Sequence, residues 1–82
     1  MTPKPKVVNR KLGKHKADGL AYIESNEIHL DTRMAGKRHF NVLTHEYLHI
    51  LFPDWTEKQV TQTANKLSTF LWEQNYRKVI NK

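Results

Sequence analysis

The stretch His45-Glu46-Tyr47-Leu48-His49 is where the chain's residue types and spacing could do chemistry. Two histidines four positions apart share one face of a helix, one turn from each other, so their imidazoles can meet on a single metal ion. Glu46 sits beside them at the rim, placed to take a proton from an activated water rather than to serve as a ligand. That layout suits a Zn²⁺ site with its own general base, the arrangement of a zinc-dependent peptidase. The simpler reading of the same residues is an amphipathic helix carrying two solvated histidines. Against it, His45 and His49 adjoin the apolar positions Leu43, Tyr47, Ile50 and Leu51, where hydration alone is a poor explanation for them.

A catalytic zinc takes three protein ligands and keeps one position open. The chain has no Cys, so the third ligand must be His, Asp or Glu. Pro53 ends the motif's helix, and the short Phe52-Pro53-Asp54 connection makes a following helix fold back beside it. The start of that second helix then returns close to His49. Glu57 is the first candidate and Asp54 the second, and Glu57 could equally close a capping box with Asp54 as the N-cap. Glu73 lies ~24 Å further along a helix rising about 1.5 Å per residue, too far to take part. His29 and His39 compete only if the sheet or a loop folds over the site. Tyr76 and His39 are candidates for a second oxyanion donor.

The elements that must position these groups follow from hydrophobic period and punctuation. Lys6 to Leu12 reads as a first strand around Val7 and Val8, and Gly13 to Gly19 as a loop. Leu20 to Ser25 reads as a strand, with Ser25-Asn26 as a hairpin turn. Glu27 to Asp31 alternates, with Ile28 and Leu30 on one face and Glu27, His29 and Asp31 on the other. The first helix runs from about Ala35 or Lys37 to Leu51. The second runs from Trp55 to about Arg77, with Val60, Ala64, Leu67 and Leu71 as its buried stripe. Trp55, Phe70, Trp72 and Tyr76 are expected to pack in the core. The fold class is α+β: a small antiparallel sheet of two or three strands, then the motif's helix and a long antiparallel partner. Residues 1–18 form a basic leader with the possible first strand, and 19–82 the catalytic domain, one domain overall.

At 82 residues the chain supports one small core, for which a bound metal would be a welcome clip. Without Cys there is neither a disulfide framework nor a thiolate site, which fits a reducing interior. No apolar run spans a membrane, and Met1 to Lys6 shows no signal-peptide pattern; a cytoplasmic protein is expected. The formal net charge is +6, and Lys4, Lys6, Arg10, Lys11, Lys14 and Lys16 crowd the start of the chain. Such an arm can make weak contacts with nucleic-acid phosphates, although no aromatic residue interleaves with it to stack on bases.

The segments Val42-Leu43-Thr44-His45-Glu46-Tyr47-Leu48-His49, Trp55-Thr56-Glu57-Lys58-Gln59-Val60 and Ala64-Asn65-Lys66-Leu67 together resemble the small zinc metallopeptidases common in phages and their bacterial hosts. These are similar to a stripped-down SprT-like or gluzincin-type zincin core. Gly19-Leu20-Ala21-Tyr22 and Glu27-Ile28-His29-Leu30-Asp31 resemble the strand pair that precedes the active-site helix there, so the likeness spans about residues 19–76. It implies a bacterial or phage-infected host cytoplasm, a protein or peptide substrate, and Glu57 as third ligand. The chain departs from larger SprT-like enzymes in having no third His after the motif and no Cys-bearing zinc ribbon, which weighs against their DNA-repair role. The expectation is thus a metallopeptidase in which Zn²⁺ activates water, Glu46 is the general base, and the exposed edge of Glu27 to Asp31 holds extended substrate. The alternative is a non-catalytic module, zinc-stabilised or basic, that binds nucleic acid or an acidic protein.

Overall fold

The computed structural model describes residues 3–13 and 17–77. Lys14 and Lys16 of the basic arm, and part of the Gly13–Gly19 loop, lie outside the described residues. Strands β1 (Lys6–Arg10), β2 (Gly19–Tyr22) and β3 (Glu27–Asp31) precede helices α1 (Gly36–Leu51) and α2 (Glu57–Glu73), an α+β fold. No helix among the described residues is long and apolar enough to cross a membrane.

The sheet is mixed rather than antiparallel throughout. Its order is β1-β3-β2, with β1 parallel to β3 and β2 antiparallel to it. β3 is the central strand, and its Ile28 and Leu30 point to the sheet face that α1 covers, where they bury almost completely. β2 joins β3 through a tight turn in which the Asn26 N–H donates to the Ile23 carbonyl and Asn26 adopts φ 56°. Asn tolerates that left-handed conformation better than most residues. At the end of β3 the Asp31 N–H donates to the Asp18 carbonyl, just before β2.

Strand β1 stops at Arg10 rather than Leu12, because Leu12 turns inward and buries at this end of the sheet. Its N–H donates to Asp31 Oδ2. Arg33 closes the other side of the same carboxylate through its backbone N–H and through Nε and Nη2, at 2.7–2.9 Å. Arg10 is not a free cation of a basic arm: its Nε donates to His29 Nδ1 at 2.7 Å, and His29 Nε2 lies 2.8 Å from Glu27.

Helix α1 is the middle layer. One of its faces packs on the sheet, where Val42, Leu43 and Ile50 meet Ile28, Leu30 and Met34. The other packs on α2, where Leu48 meets Val60, Ala64 and the half-buried Trp55. On α2 the buried series continues to Ser68 rather than to Leu67, which is 42% exposed. Ser68 buries because its hydroxyl accepts from Asn41 Nδ2 on α1 at 2.8 Å. Trp55 and Trp72 are half-buried as expected, but Phe70 and Tyr76 stand outside the core.

Helix α2 begins two residues later than its expected start. Trp55 belongs to a turn, its N–H donating to the Phe52 carbonyl, and the Gln59 N–H goes to the Thr56 hydroxyl rather than to the Trp55 carbonyl. Thr56 becomes the N-cap and Gln59 closes the capping box, with both reciprocal bonds present. Trp55 and Val60 then hold the positions of a hydrophobic staple across the cap. At the other end Asn75 takes φ 67°, the Asn75 N–H donates to the Trp72 carbonyl and the Tyr76 N–H to that of Leu71. This is a Schellman closure, and it stops the helix at Glu73 rather than near Arg77.

The Asp31 knot makes stability depend on pH. Hydrogen bonds and charge from Arg33, with the Leu12 N–H, hold the Asp31 carboxyl well below the usual carboxylate range. A depressed folded-state pKa stabilises the fold above the unfolded Asp value of ~3.9, and the contribution fades as pH falls through and below it. Thermal melts by circular dichroism from pH 7 down to pH 3 should therefore show the midpoint falling with acid. Asp31→Asn should lower the midpoint at pH 7 and flatten that fall; an acid limb as steep as wild type would refute the assignment.

Candidate metal centre

The centre lies on one seam of α1, where the sheet edge and the start of α2 both reach it. His45 and His49 occupy successive turns of α1, and their rings meet edge to face with centroids 4.8 Å apart. Their Nε2 atoms are 3.2 Å from each other. Glu57, the first residue of α2, bridges them, with Oε1 2.7 Å from His45 Nε2 and Oε2 2.9 Å from His49 Nε2. The three side chains each offer a ligand atom within 4.8 Å of the others, and together they could hold a metal ion.

The start of α2 sets this geometry. With Thr56 as cap and Gln59 closing the box, Glu57 is released from capping and its carboxylate is free to turn toward α1. A carboxylate in the first turn also suits the positive end of the helix dipole. The two competing uses of Glu57 are thus separated by the frame of the cap. Asp54 lies exposed in the connecting turn, where it does not cap α2 and does not belong to the group of His45, His49 and Glu57.

Three contacts among three polar groups cannot all be ordinary hydrogen bonds. Each neutral imidazole has one N–H to give, and a carboxylate only accepts. If both Nε2 atoms donate to Glu57, the two donors face each other at 3.2 Å. A cation at the centre would satisfy all three ligands at once.

Glu46 sits beneath this group, with 8% of its surface exposed. Burial pushes its pKa up, His45 and His49 pull it back, and the negative Glu57 adds to the rise. Glu46 is thus a desolvated carboxylate beside the group of His45, His49 and Glu57. A cleft of about 350 Å³ opens over the group, walled by Gly19, Leu20, Ala21 and Ile23 opposite His45, Glu46, His49 and Glu57.

The wall is therefore β2 and its turn, not β3. Strand β3 is central and hydrogen-bonded on both sides, so it has no free edge to offer a substrate. The alternating pattern of β3 made it the stronger strand in sequence, and that same strength gives it the interior place. His29 is held by Arg10 and Glu27 away from the cleft. His39 and Tyr76 do come together, but with Phe40 and Arg77 in a different cavity, and neither lines the cleft. Neither is placed to act as the oxyanion donor. Sequence reasoning missed Gly19 and Ile23 as cleft residues; the one local signal was a glycine where a strand former would be expected.

No family of known proteins, no curated protein and no solved structure matches the chain.

A ligand that binds only the folded state raises stability by about 2.7 kcal/mol at a hundred times its Kd. In a domain of this size that is a midpoint shift of roughly 10–20 °C. Melting the metal-stripped protein with and without added Zn²⁺ or Co²⁺ should show a rise of this order. Glu57→Gln should shrink it by more than half, whereas Asp54→Asn should leave it intact. Equal shifts in Glu57→Gln and wild type would remove Glu57 from the ligand set.

Proposed function

We propose that the protein is a zinc-dependent peptidase, with His45, His49 and Glu57 as the metal ligands and Glu46 as the general base. The observation that carries the reading is the convergence of two imidazole nitrogens and a carboxylate on one point, with a second, buried carboxylate alongside. The donor set suits Zn²⁺: nitrogen and oxygen ligands, no thiolate, and three protein groups leaving a fourth position open. The spacing suits it too. Two nitrogens bound tetrahedrally at 2.0–2.1 Å from zinc lie ~3.3 Å apart, and the His45 and His49 Nε2 atoms are 3.2 Å apart.

Bound there, Zn²⁺ would supply Lewis acidity, lowering the pKa of a water and polarising a peptide carbonyl. Glu46 takes the proton of the attacking water as its oxygen bonds to the carbonyl carbon. It then returns that proton to the amine nitrogen as the C–N bond breaks, so the products are a carboxylate and a free amine. Its burial against the ligand group keeps the carboxylate out of bulk water and within reach of both transfers.

Strand β2 supplies the substrate rail. It is an edge strand, paired only with β3, and its outer edge borders the cleft. An extended peptide can add to that edge through main-chain hydrogen bonds and pass its carbonyl across the ligand group. This favours unfolded or loop segments as substrates over compact surfaces.

Glu46→Gln tests the assignment with the metal-loaded protein and an unfolded substrate such as casein or a quenched-fluorophore peptide library. The variant should bind metal within about threefold of wild type and lose at least ~10²-fold in kcat, the typical contribution of a positioned general base. His45→Ala should lose both the cleavage and the metal-dependent rise in stability. Cleavage by Glu46→Gln at the wild-type rate would exclude Glu46 as the base, and a metal-loaded wild type that cleaves no member of the library would exclude the peptidase reading.

A further inference from the structure

We infer that Gly19 is a positioning residue for Glu46: β2 lies directly on the Glu46 side chain, and only a residue without Cβ leaves that carboxylate in its place beside the metal ligands. The inference rests on the peptidase reading and extends it to a residue outside the histidine motif.

The glycine is not there for its backbone freedom. Gly36 is the glycine with positive φ, at 61°, and Gly19 is in ordinary strand conformation. Its identity is a matter of space. A Cβ built on Gly19 would lie 2.7 Å from Val42 Cγ1, 3.0 Å from Glu46 Cγ and 3.3 Å from Glu46 Oε2. The same construction at Gly13 and Gly36 meets nothing nearer than 4.0 and 3.9 Å. Val42 and Glu46 are successive turns of one α1 face, so the first residue of β2 bears on both.

The ion pairs of the centre join Glu57 to the two rings and leave Glu46 out. What confines Glu46 is contact: α1 behind, Val42 one turn before it, β2 above. Glu46 Cγ must give way to an added methyl group by a few tenths of an ångström, and Oε2, 3.3 Å from the same point, is pressed with it. Val42 is β-branched and stiff at χ1, so it yields less readily. A methyl group at position 19 therefore meets Val42 and the Glu46 side chain, its carboxylate included, before any other atom.

A double-mutant cycle on the full-length protein loaded with Co²⁺ tests this, because coupling between neighbours appears as non-additivity. The probe is acetohydroxamate, which chelates a metal and donates its hydroxyl to a nearby carboxylate; its affinity is read from the visible Co²⁺ spectrum without any substrate. Gly19→Ala should bind Co²⁺ within about threefold of wild type and weaken acetohydroxamate roughly tenfold, as should Glu46→Gln. The double variant should be no weaker than Glu46→Gln alone. Adding Val42→Ala to Gly19→Ala removes the tightest contact and should restore the melting temperature without restoring acetohydroxamate affinity. Additive losses, wild-type affinity in Gly19→Ala, or full recovery with Val42→Ala would each reduce Gly19 to a packing residue and leave the peptidase reading standing. A wild type that takes up no Co²⁺ would overturn both.

Discussion

The carboxylate of Glu57 set between the rings of His45 and His49 is the contact around which the candidate metal centre is arranged. It joins the end of α1 to the start of α2 across a short connection, in a domain with few buried residues to spare. The connection is shaped by Pro53, which cannot continue the helix, and by the Phe52 ring stacked on Trp55 at 4.2 Å. Trp55 also reaches the Leu48, Val60 and Ala64 cluster, so the turn that aims Glu57 is anchored in the core it helps to close. Ligand placement and helix packing are consequently one constraint, and a metal bound there would tighten both.

Helix α1 carries unlike environments around its circumference. Toward the sheet it is apolar, toward α2 it mixes Leu48 with the hydrogen-bonded Asn41, and the two seams between differ in character. One seam holds the histidines and opens as a polar cleft. The other is an apolar groove of about 390 Å³ bordered by Val7, Tyr47 and Leu67. The contrast comes from what flanks each seam: the backbone edge of β2 and the acidic first turn of α2 on one side, aliphatic side chains of β1 and α2 on the other.

Within the polar seam, charge and burial oppose each other in a useful way. Glu46 is desolvated enough for its acidity to fall, yet it lies beside two imidazoles that favour its charged form. Asp31 is the counterexample in the same protein. It is equally hidden, but Arg33 and the Leu12 N–H saturate its oxygens, so it stays charged and structural. The difference between the two carboxylates is thus the number of donors aimed at each, rather than its depth.

The features legible in the sequence are those decided within a few residues. Helical spacing placed His45 and His49 on one face, Pro53 ended α1, and the proximity of Glu57 to His49 followed from a connection too short to do otherwise. The tertiary structure decided what local spacing leaves degenerate. Asp54 with Glu57 and Thr56 with Gln59 both match a capping box, and the Phe52–Trp55 turn chose the second, which freed Glu57 to face the histidines. Sheet order was likewise beyond local reach, since the alternation of β3 is the same for an edge or a centre; the parallel pairing of β1 gave β3 the centre and left β2 at the cleft. Ser68 rather than the expected Leu67 is buried because a hydroxyl with a partner on α1 is stable where an unpartnered one is not. Periodicity reports which residues prefer to leave water, whereas the partner each one meets depends on elements brought together from distant parts of the chain.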